Sequence, residues 1–203
     1  MRSMRLLILA PVLLLLLAGC ASTFRADVTR FHKLERPSGQ TIKIMPQDDR
    51  KLGSLEFQTY ASMIAPELEK LGYKVVAPSA DSDLIARVDY AVSDGNTVVR
   101  SYPSMYPTWY YDYYYPWASP WYGFHARDPD IRSYIVYPRR LDLQIVRADL
   151  KPTDPNWMVY EGHVVSQGRS DNLPDVMPLL IQALFTNFPG ESGATNEVDI
   201  KLD

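Results

Sequence analysis

The amino-acid sequence predicts an α+β domain: an antiparallel-rich sheet with two helices packed on one face, plus a long aromatic hairpin insertion. Several segments alternate apolar and polar residues with a period of two, which is typical of strands with one buried face. Two other segments place apolar residues three and four positions apart, which is typical of amphipathic helices. Between residues 102 and 124 the composition changes abruptly to tyrosine, tryptophan and proline.

Five strands and one helix are predicted before this insertion. Residues 84–92 alternate most strictly, and residues 94–96, Asp-Gly-Asn, are a candidate turn into the next strand. The helix begins after Ser54, a suitable N-cap, and extends to about Leu71, with Pro66 predicting a kink near Ser62. The predicted strands are residues 24–31, 41–45, 74–77, 84–92 and 97–100.

Three strands and the second helix are predicted after the insertion. Residues 132–146 and 157–167 form two long strands, and alternation places Trp157, Val159, Glu161 and His163 on the same side of the second. The helix extends from Leu173 to about Phe188 behind Asn172 as its cap. The last strand is residues 197–202.

The aromatic segment, residues 102–124, holds eight tyrosines, three tryptophans and one phenylalanine. Its prolines argue against a helix or a central strand, so we expect a long hairpin excursion. One interpretation is a contact surface for a protein, a glycan or the bilayer surface, because Tyr and Trp are enriched at interfaces. The other is a low-complexity segment that folds back over its own sheet or stays mobile. The candidate contact residues are Met105, Trp109, Tyr113, Trp117 and Trp121.

The N-terminus predicts export. Arg2 and Arg5 precede an apolar run at residues 6–17, which is too short to span a bilayer, since about 20 residues are needed. Residues 17–20, Leu-Ala-Gly-Cys, resemble the lipobox of bacterial lipoproteins. The resemblance implies that residues 1–19 are a signal peptide and that Cys20 receives a diacylglycerol, with a further fatty acid such as palmitate on its amine.

Two domain-level expectations follow. Residues 20–23 would be a lipidated tether and residues 24–203 a single domain. By resemblance to enterobacterial sorting, Ala21 implies that the lipid anchor lies in the outer membrane, with the domain facing the periplasm. Anchoring by two or more acyl chains is stable.

Several classes of function find no support in the sequence. Cys20 is the only cysteine, so no internal disulfide can form. The formal charge of −3 becomes more negative by two when the signal peptide is removed, and no long basic run indicates nucleic-acid binding. The three histidines lack the local spacing of metal ligands, and no phosphate-binding loop or nucleophile elbow is present. We therefore predict no catalytic residue, no metal site and no cofactor.

Several short stretches of the chain form a recognisable set: residues 26–31, 37–39, 42–46, 55–61, 71–73, 83–84, 183–185 and 188–190. Together they resemble one family of uncharacterised Gram-negative lipoproteins that carry a domain of unknown function. The resemblance implies an α+β lipoprotein domain, often with a Tyr/Trp-rich excursion, and supplies no catalytic residues to transfer.

These observations favour a non-enzymatic domain that binds or scaffolds envelope components and uses the aromatic insertion as its contact surface. One alternative is an enzyme that acts on envelope polymers through carboxylates such as Asp142 and Glu161. Another is a structural surface or biofilm component that self-associates through the tyrosine-rich segment. An enzyme should show converging polar groups in a concave pocket, and a binding module should show an exposed apolar patch.

Overall fold

The computed structural model describes residues 22–34, 37–102 and 130–202. In these residues the chain forms eight strands, two α-helices and a short 3₁₀ helix at Asp49–Lys51, which confirms the α+β class. In chain order the strands and α-helices are β1 (Thr23–His32), β2 (Thr41–Pro46), α1 (Leu55–Lys70), β3 (Lys74–Val76), β4 (Leu84–Val92), β5 (Asn96–Tyr102), β6 (Asp130–Arg147), β7 (Met158–Gly168), α2 (Leu173–Phe185) and β8 (Ala194–Lys201).

The strands form one mixed, mostly antiparallel sheet in the order β3-β2-β4-β6-β7-β1-β8, and β5 pairs with β6 outside this path. β2 is parallel to β3 and to β4, whereas the remaining pairs are antiparallel. Parallel neighbours need a crossover connection, and the connection between β2 and β3 contains α1.

Both helices cover the same face of the sheet. Val28, Val164, Leu141 and Tyr90 follow one another across the paired strands, and all four are buried. The apolar sides of the helices belong to the same core cluster. The other face of the sheet carries the alternate, mainly polar residues of each strand. The helix residues buried in the core are Phe57, Tyr60, Ile64, Leu68, Leu173, Met177, Leu180, Ile181, Ala183 and Leu184.

The helix ends agree only partly with the prediction. Ser54 caps α1 as predicted, because its side chain accepts a hydrogen bond from the backbone N–H of Phe57. Asn172 makes no capping hydrogen bond, and its amide donates to Asp175 instead. α2 ends at Phe185 rather than Phe188, since Thr186 is already extended, with ψ of 121°.

The turn predicted at residues 94–96 is wrong. β4 and β5 both run antiparallel to β6 along the same edge, so the chain continues in one direction. Val92 pairs with Arg139 and Asn96 with Val136, which places one extra residue on the β4–β5 side and defines a bulge. A Cβ on Gly95 would meet side-chain atoms of Ile135 and Tyr137. A bulge and a turn both favour glycine, so the local sequence could not distinguish them.

Beyond the bulge, residues 96–102 and 130–136 form a two-stranded ribbon that we call the stem. In the described residues it has no third strand, because β7 pairs with β6 only from Tyr137 onward. The predicted insertion of residues 102–124 lies outside the described residues except for Tyr102, as do the signal peptide of residues 1–19 and Cys20. Neither described helix is long and apolar enough to cross a membrane.

Candidate functional site

The stem exposes an apolar surface on the side continuous with the helix-covered face. Residues opposite each other in an antiparallel pair share a face, so the pairing of Thr97 with Ile135 and of Ser101 with Ile131 places both isoleucines on one side with Val99. Their exposed fractions are 49% for Ile135, 65% for Ile131 and 62% for Val99. The other residues of this side are uncharged Thr97, Ser101 and Ser133.

The opposite side of the stem combines arginines with tyrosines. The guanidinium carbon of Arg100 lies 5.8 Å from the ring centre of Tyr134, and that of Arg169 lies 5.1 Å from the same ring. Arg132 stands at 5.8 Å from the ring of Tyr102. Each such contact stabilises by about 0.5–1 kcal/mol at an exposed site. The stem therefore has one uncharged apolar side and one cationic, aromatic side.

The stem projects from the end of the sheet at which β1 begins. Ala26 of β1 pairs with Ser166 of β7, and Tyr137 of β6 pairs with Gly168 of β7. β1 and β6 are both antiparallel to β7, so their N-terminal ends point in the same direction. Thr23, the first residue of β1, and the stem consequently lie at one end of the domain. Lys151, in the connection after β6, lies beyond the opposite end of that strand.

A row of charged side chains crosses the face of the sheet that the helices do not cover. Nζ of Lys51 lies 2.8 Å from Oδ1 of Asp89, whose Oδ2 accepts a hydrogen bond from Nη2 of Arg140 at 3.1 Å. Nε of Arg140 lies 2.9 Å from Oδ2 of Asp142. The register explains this row, because Asp89 is paired with Asp142 and Asp142 with His163 on adjacent strands.

His163 lies between two carboxylates. Its Nδ1 is 2.8 Å from Oδ1 of the buried Asp142, and its Nε2 is 3.4 Å from Oε1 of Glu161. Gln144 donates to the same Glu161 oxygen at 3.5 Å. An Asp–His pair can orient an imidazole for proton transfer. Here, however, the nitrogen that would face a substrate faces Glu161 instead.

Asp142, Glu161 and His163 are candidate residues that lie together on this face. Glu161 and His163 share a side as predicted. The guanidinium carbon of Arg87 lies 5.8 Å from the ring centre of Trp157. Val159 was predicted on the same side but packs against the core instead, because the pairing of β6 with β7 shifts by one residue at this point. The structure brings Asp142, on the neighbouring strand, into contact with His163. Across the described ranges, no group of three or more His, Cys, Asp or Glu residues is arranged to hold a metal ion.

The predicted contact residues are not part of the described structure. Met105, Trp109, Tyr113, Trp117 and Trp121 all lie between residues 103 and 129. The structure describes the stem strands that flank these residues. The apolar side of the stem was not predicted, although the alternation of Ile131, Ser133 and Ile135 with Arg132 and Tyr134 was a usable signal.

Shallow grooves border the helices. One, of about 550 Å³, lies between α1 and α2 and includes Met63, Glu67 and Phe185. A more apolar one, of about 610 Å³, lies between α1 and strands β2 and β3, near Phe57 and Val75. Glu161 lines a smaller depression of about 290 Å³. These three grooves do not bring Asp142, His163 and Glu161 together.

Comparison with known proteins places the chain within a family. A sequence model described as "Domain of unknown function (DUF4136)" matches residues 25–190. Over 49 residues, 24% of this chain, the sequence is 39% identical to an uncharacterised protein of Zymomonas mobilis. The match spans only 18% of that protein's length.

Three solved structures are distantly similar. A DUF4136 family protein from Bacteroides thetaiotaomicron has 15% identity and a TM-score of 0.44, over 82% of this chain and 97% of that one. A PDZ domain protein from Parabacteroides distasonis has 11% identity and a TM-score of 0.46, over 89% of this chain and 40% of that one. A PelC dodecamer from Paraburkholderia phytofirmans has 10% identity and a TM-score of 0.41, over 77% and 91%. Since the family model covers most of the sequence, the chain belongs to the DUF4136 family, a domain of unknown function.

Proposed function

We propose that this chain is an outer-membrane-anchored periplasmic lipoprotein whose domain binds or scaffolds envelope components without catalysis. The stem and the aromatic insertion that it carries would form the contact surface. The observation that carries this proposal is the concentration of exposed apolar side chains on the stem. Among the described residues, four of the seven exposed large hydrophobic side chains lie there: Val99, Tyr102, Ile131 and Ile135.

The energetics of a two-stranded ribbon support a contact role. An isolated pair of strands is marginally stable in water, and the stem leaves three aliphatic side chains exposed on one side. Fully burying a side chain of this size contributes about 1.5–3 kcal/mol. A partner that covers this side would therefore gain affinity and also stabilise the stem.

The position of β1 determines which end of the domain the proposed anchor would hold. β1 starts at the end of the sheet from which the stem projects, so acyl chains on Cys20 would hold that end close to the membrane. The partner we favour is an envelope protein, with a glycan as the second choice, because rings of Tyr and Trp suit both.

In-cell photo-crosslinking tests the proposal. A photoreactive residue would replace Trp109 or Tyr113 in the full-length lipoprotein, with the same residue at Lys151 as the control at the opposite end of β6. We expect a discrete adduct from the insertion positions and none from position 151. The proposal would be wrong if neither insertion position formed an adduct with protein, glycan or lipid.

A second experiment assigns the contact to the stem. The triple substitution Val99→Thr, Ile131→Thr and Ile135→Thr removes apolar surface while keeping residues that favour strands. We expect the adduct to disappear and the melting temperature to change little. The control is Leu55→Thr, at a residue that is 79% exposed on α1 and belongs to no part of the stem. An adduct that survives the triple substitution would contradict a role for the stem.

One observation favours an enzyme as the second candidate, namely the contact between Asp142 and His163. The position of Glu161 against Nε2 of the same ring supports a structural pairing instead. Incubation of the full-length protein with isolated envelope polymers, followed by mass spectrometry of the released fragments, separates the two. Fragments released by the wild type but not by Asp142→Asn or Glu161→Gln would establish the enzyme and overturn the non-enzymatic proposal.

A further inference from the structure

Arg139 is a buried arginine with no hydrogen-bond or ion-pair partner among the residues that the structure describes. It lies on the helix-covered side of β6, and only 6% of the residue is exposed. In residues 22–34, 37–102 and 130–202, no carboxylate pairs with it, and its Nε is buried without a hydrogen-bond partner. Burial lowers the pKa of the Arg139 guanidinium, and no neighbouring carboxylate offsets this effect.

A second unpartnered polar group stands beside it. Ser166 is paired directly with Arg139 across β6 and β7 and is 2% exposed, and its hydroxyl is also buried without a partner in the described part of the chain. The guanidinium lies over Gly168, where even a single methyl group would collide with it. The missing side chain at Gly168 therefore provides the space that the guanidinium occupies.

Arg30, the other buried arginine of this domain, differs from Arg139 in that a terminal nitrogen of its guanidinium has partners, although its Nε lacks one as well. It is 2% exposed, and its Nη2 donates to the carbonyl oxygens of Ala183, Leu184 and Thr186 at 2.8–3.3 Å. A buried charge without such partners is destabilising, whereas an apolar residue of similar size would not be. The burial of Arg139 therefore needs an explanation other than a contribution to stability.

We propose that Arg139 and Ser166 form a binding site for an oxyanion, a phosphate or a carboxylate. The Nε–H and the terminal N–H groups of Arg139 would donate to two oxygens of the ligand, and the hydroxyl of Ser166 would donate to one of them. Arginine suits this task because its planar group pairs with two oxygens at once. The inference does not depend on acylation of Cys20 or on a partner for the insertion.

The site lies at the base of the stem, at the end of the sheet where β1 begins. Two sources of phosphate are therefore compared, free phosphate and the headgroup of an anionic phospholipid. The full-length protein in neutral detergent would be titrated with inorganic phosphate, with acetate, and with micelles containing phosphatidylglycerol or, as the uncharged reference, phosphatidylcholine. The readouts are the ¹H–¹⁵N signals of the arginine Nε–H groups and the melting temperature.

We expect the Nε–H signal of Arg139 to shift saturably and the melting temperature to rise with at least one anionic probe. A response to inorganic phosphate or acetate indicates a free anion as the ligand, and a response to phosphatidylglycerol alone indicates a headgroup. Arg139→Met should abolish the response while raising the melting temperature of the unliganded protein. Ser166→Ala should weaken binding about tenfold.

The control is Arg100→Met, which removes an exposed arginine of the stem and should leave the response intact. The proposal is overturned if no anionic probe shifts the Arg139 signal, or if Arg139→Met and the wild type respond equally. It is also overturned if Arg139→Met lowers the melting temperature of the unliganded protein, since Arg139 would then be structural. Ser166→Ala tests the site independently of the stability of Arg139→Met, because unchanged affinity of this variant for the anionic probes would show that the hydroxyl is no part of the site.

Discussion

Nη2 of Arg30 donates a hydrogen bond to the carbonyl oxygen of Leu184 at 2.9 Å, and this contact fastens β1 to the end of α2. The same nitrogen reaches the carbonyls of Ala183 and Thr186. The last carbonyls of a helix have no partner within the helix and carry partial negative charge. The buried guanidinium therefore caps α2, and the helix ends where the arginine reaches it.

Arg30→Met should destabilise the domain by about 3 kcal/mol, because two buried carbonyl groups and one partly buried carbonyl group lose a charged donor. Urea unfolding followed by circular dichroism measures the change. The control is Arg25→Met on the same strand, which removes exposed ion pairs with Asp199 and Glu197 and should change stability much less. Equal effects of the two substitutions would refute the capping role.

Tyr160 should make the domain sensitive to high pH. Burial is the largest influence on its hydroxyl and raises the pKa to about 12, although the guanidinium of Arg30 opposes the shift. An unfolded tyrosine has a pKa of about 10. The stabilising contribution of the neutral phenol is therefore complete below about pH 10 and is lost as the pH rises towards 12.

We expect the free energy of unfolding to fall between about pH 10 and pH 12. This fall should be about 2–3 kcal/mol smaller in Tyr160→Phe than in the wild type. Urea titrations at several pH values would show the difference. Part of the fall should remain in the variant, because burial also raises the pKa of Tyr73 and of Tyr90. Identical pH profiles for the variant and the wild type would contradict the assignment.

Gly95→Ala should loosen the stem. The new methyl group would collide with Ile135 and Tyr137 at the bulge, so the pairing of β5 with β6 should weaken. Amide hydrogen exchange in residues 96–102 should accelerate, while exchange in β7 stays unchanged. Gly53→Ala is the matched control, since a Cβ there meets nothing within 4 Å. Unchanged protection of the stem would show that the bulge tolerates a side chain.

Cys20→Ser should abolish lipid attachment. Metabolic labelling with an alkyne fatty acid is expected to label the wild type and not the variant, and fractionation should move the protein from the membrane to the soluble fraction. The physical reason is that a single anchor site carries all the acyl chains in our proposal. Labelling that persists in Cys20→Ser would remove the basis for the proposed localisation.

Residues that obey a local periodicity could be predicted from the sequence. β4 has the predicted bounds, Leu84–Val92, because every second side chain in it is buried or nearly so. Ser54 was identifiable as a cap from its residue type and position. The pairing of Glu161 and His163 on one side of β7 followed from alternation alone.

Features that depend on strand register or on distant contacts could not be predicted in this way. The contact of His163 with Asp142 requires the register of β6 against β7, which local sequence does not determine. The end of α2 depends on Arg30, more than 150 residues earlier in the chain. Arg139 did leave a signal, because it occupies an inward position in phase with Leu141 and Leu143.

The start of β1 and the stem lie at the same end of the domain, and this limits how an acylated protein could be oriented on its membrane. Two residues separate Cys20 from Thr23, so the tether reaches about 10 Å. The stem is seven residue pairs long, or about 23 Å. The stem is thus longer than the tether and would have to tilt along the bilayer. The stem would then contact partners in the plane of the membrane, and confinement to this thin layer would raise their effective concentration.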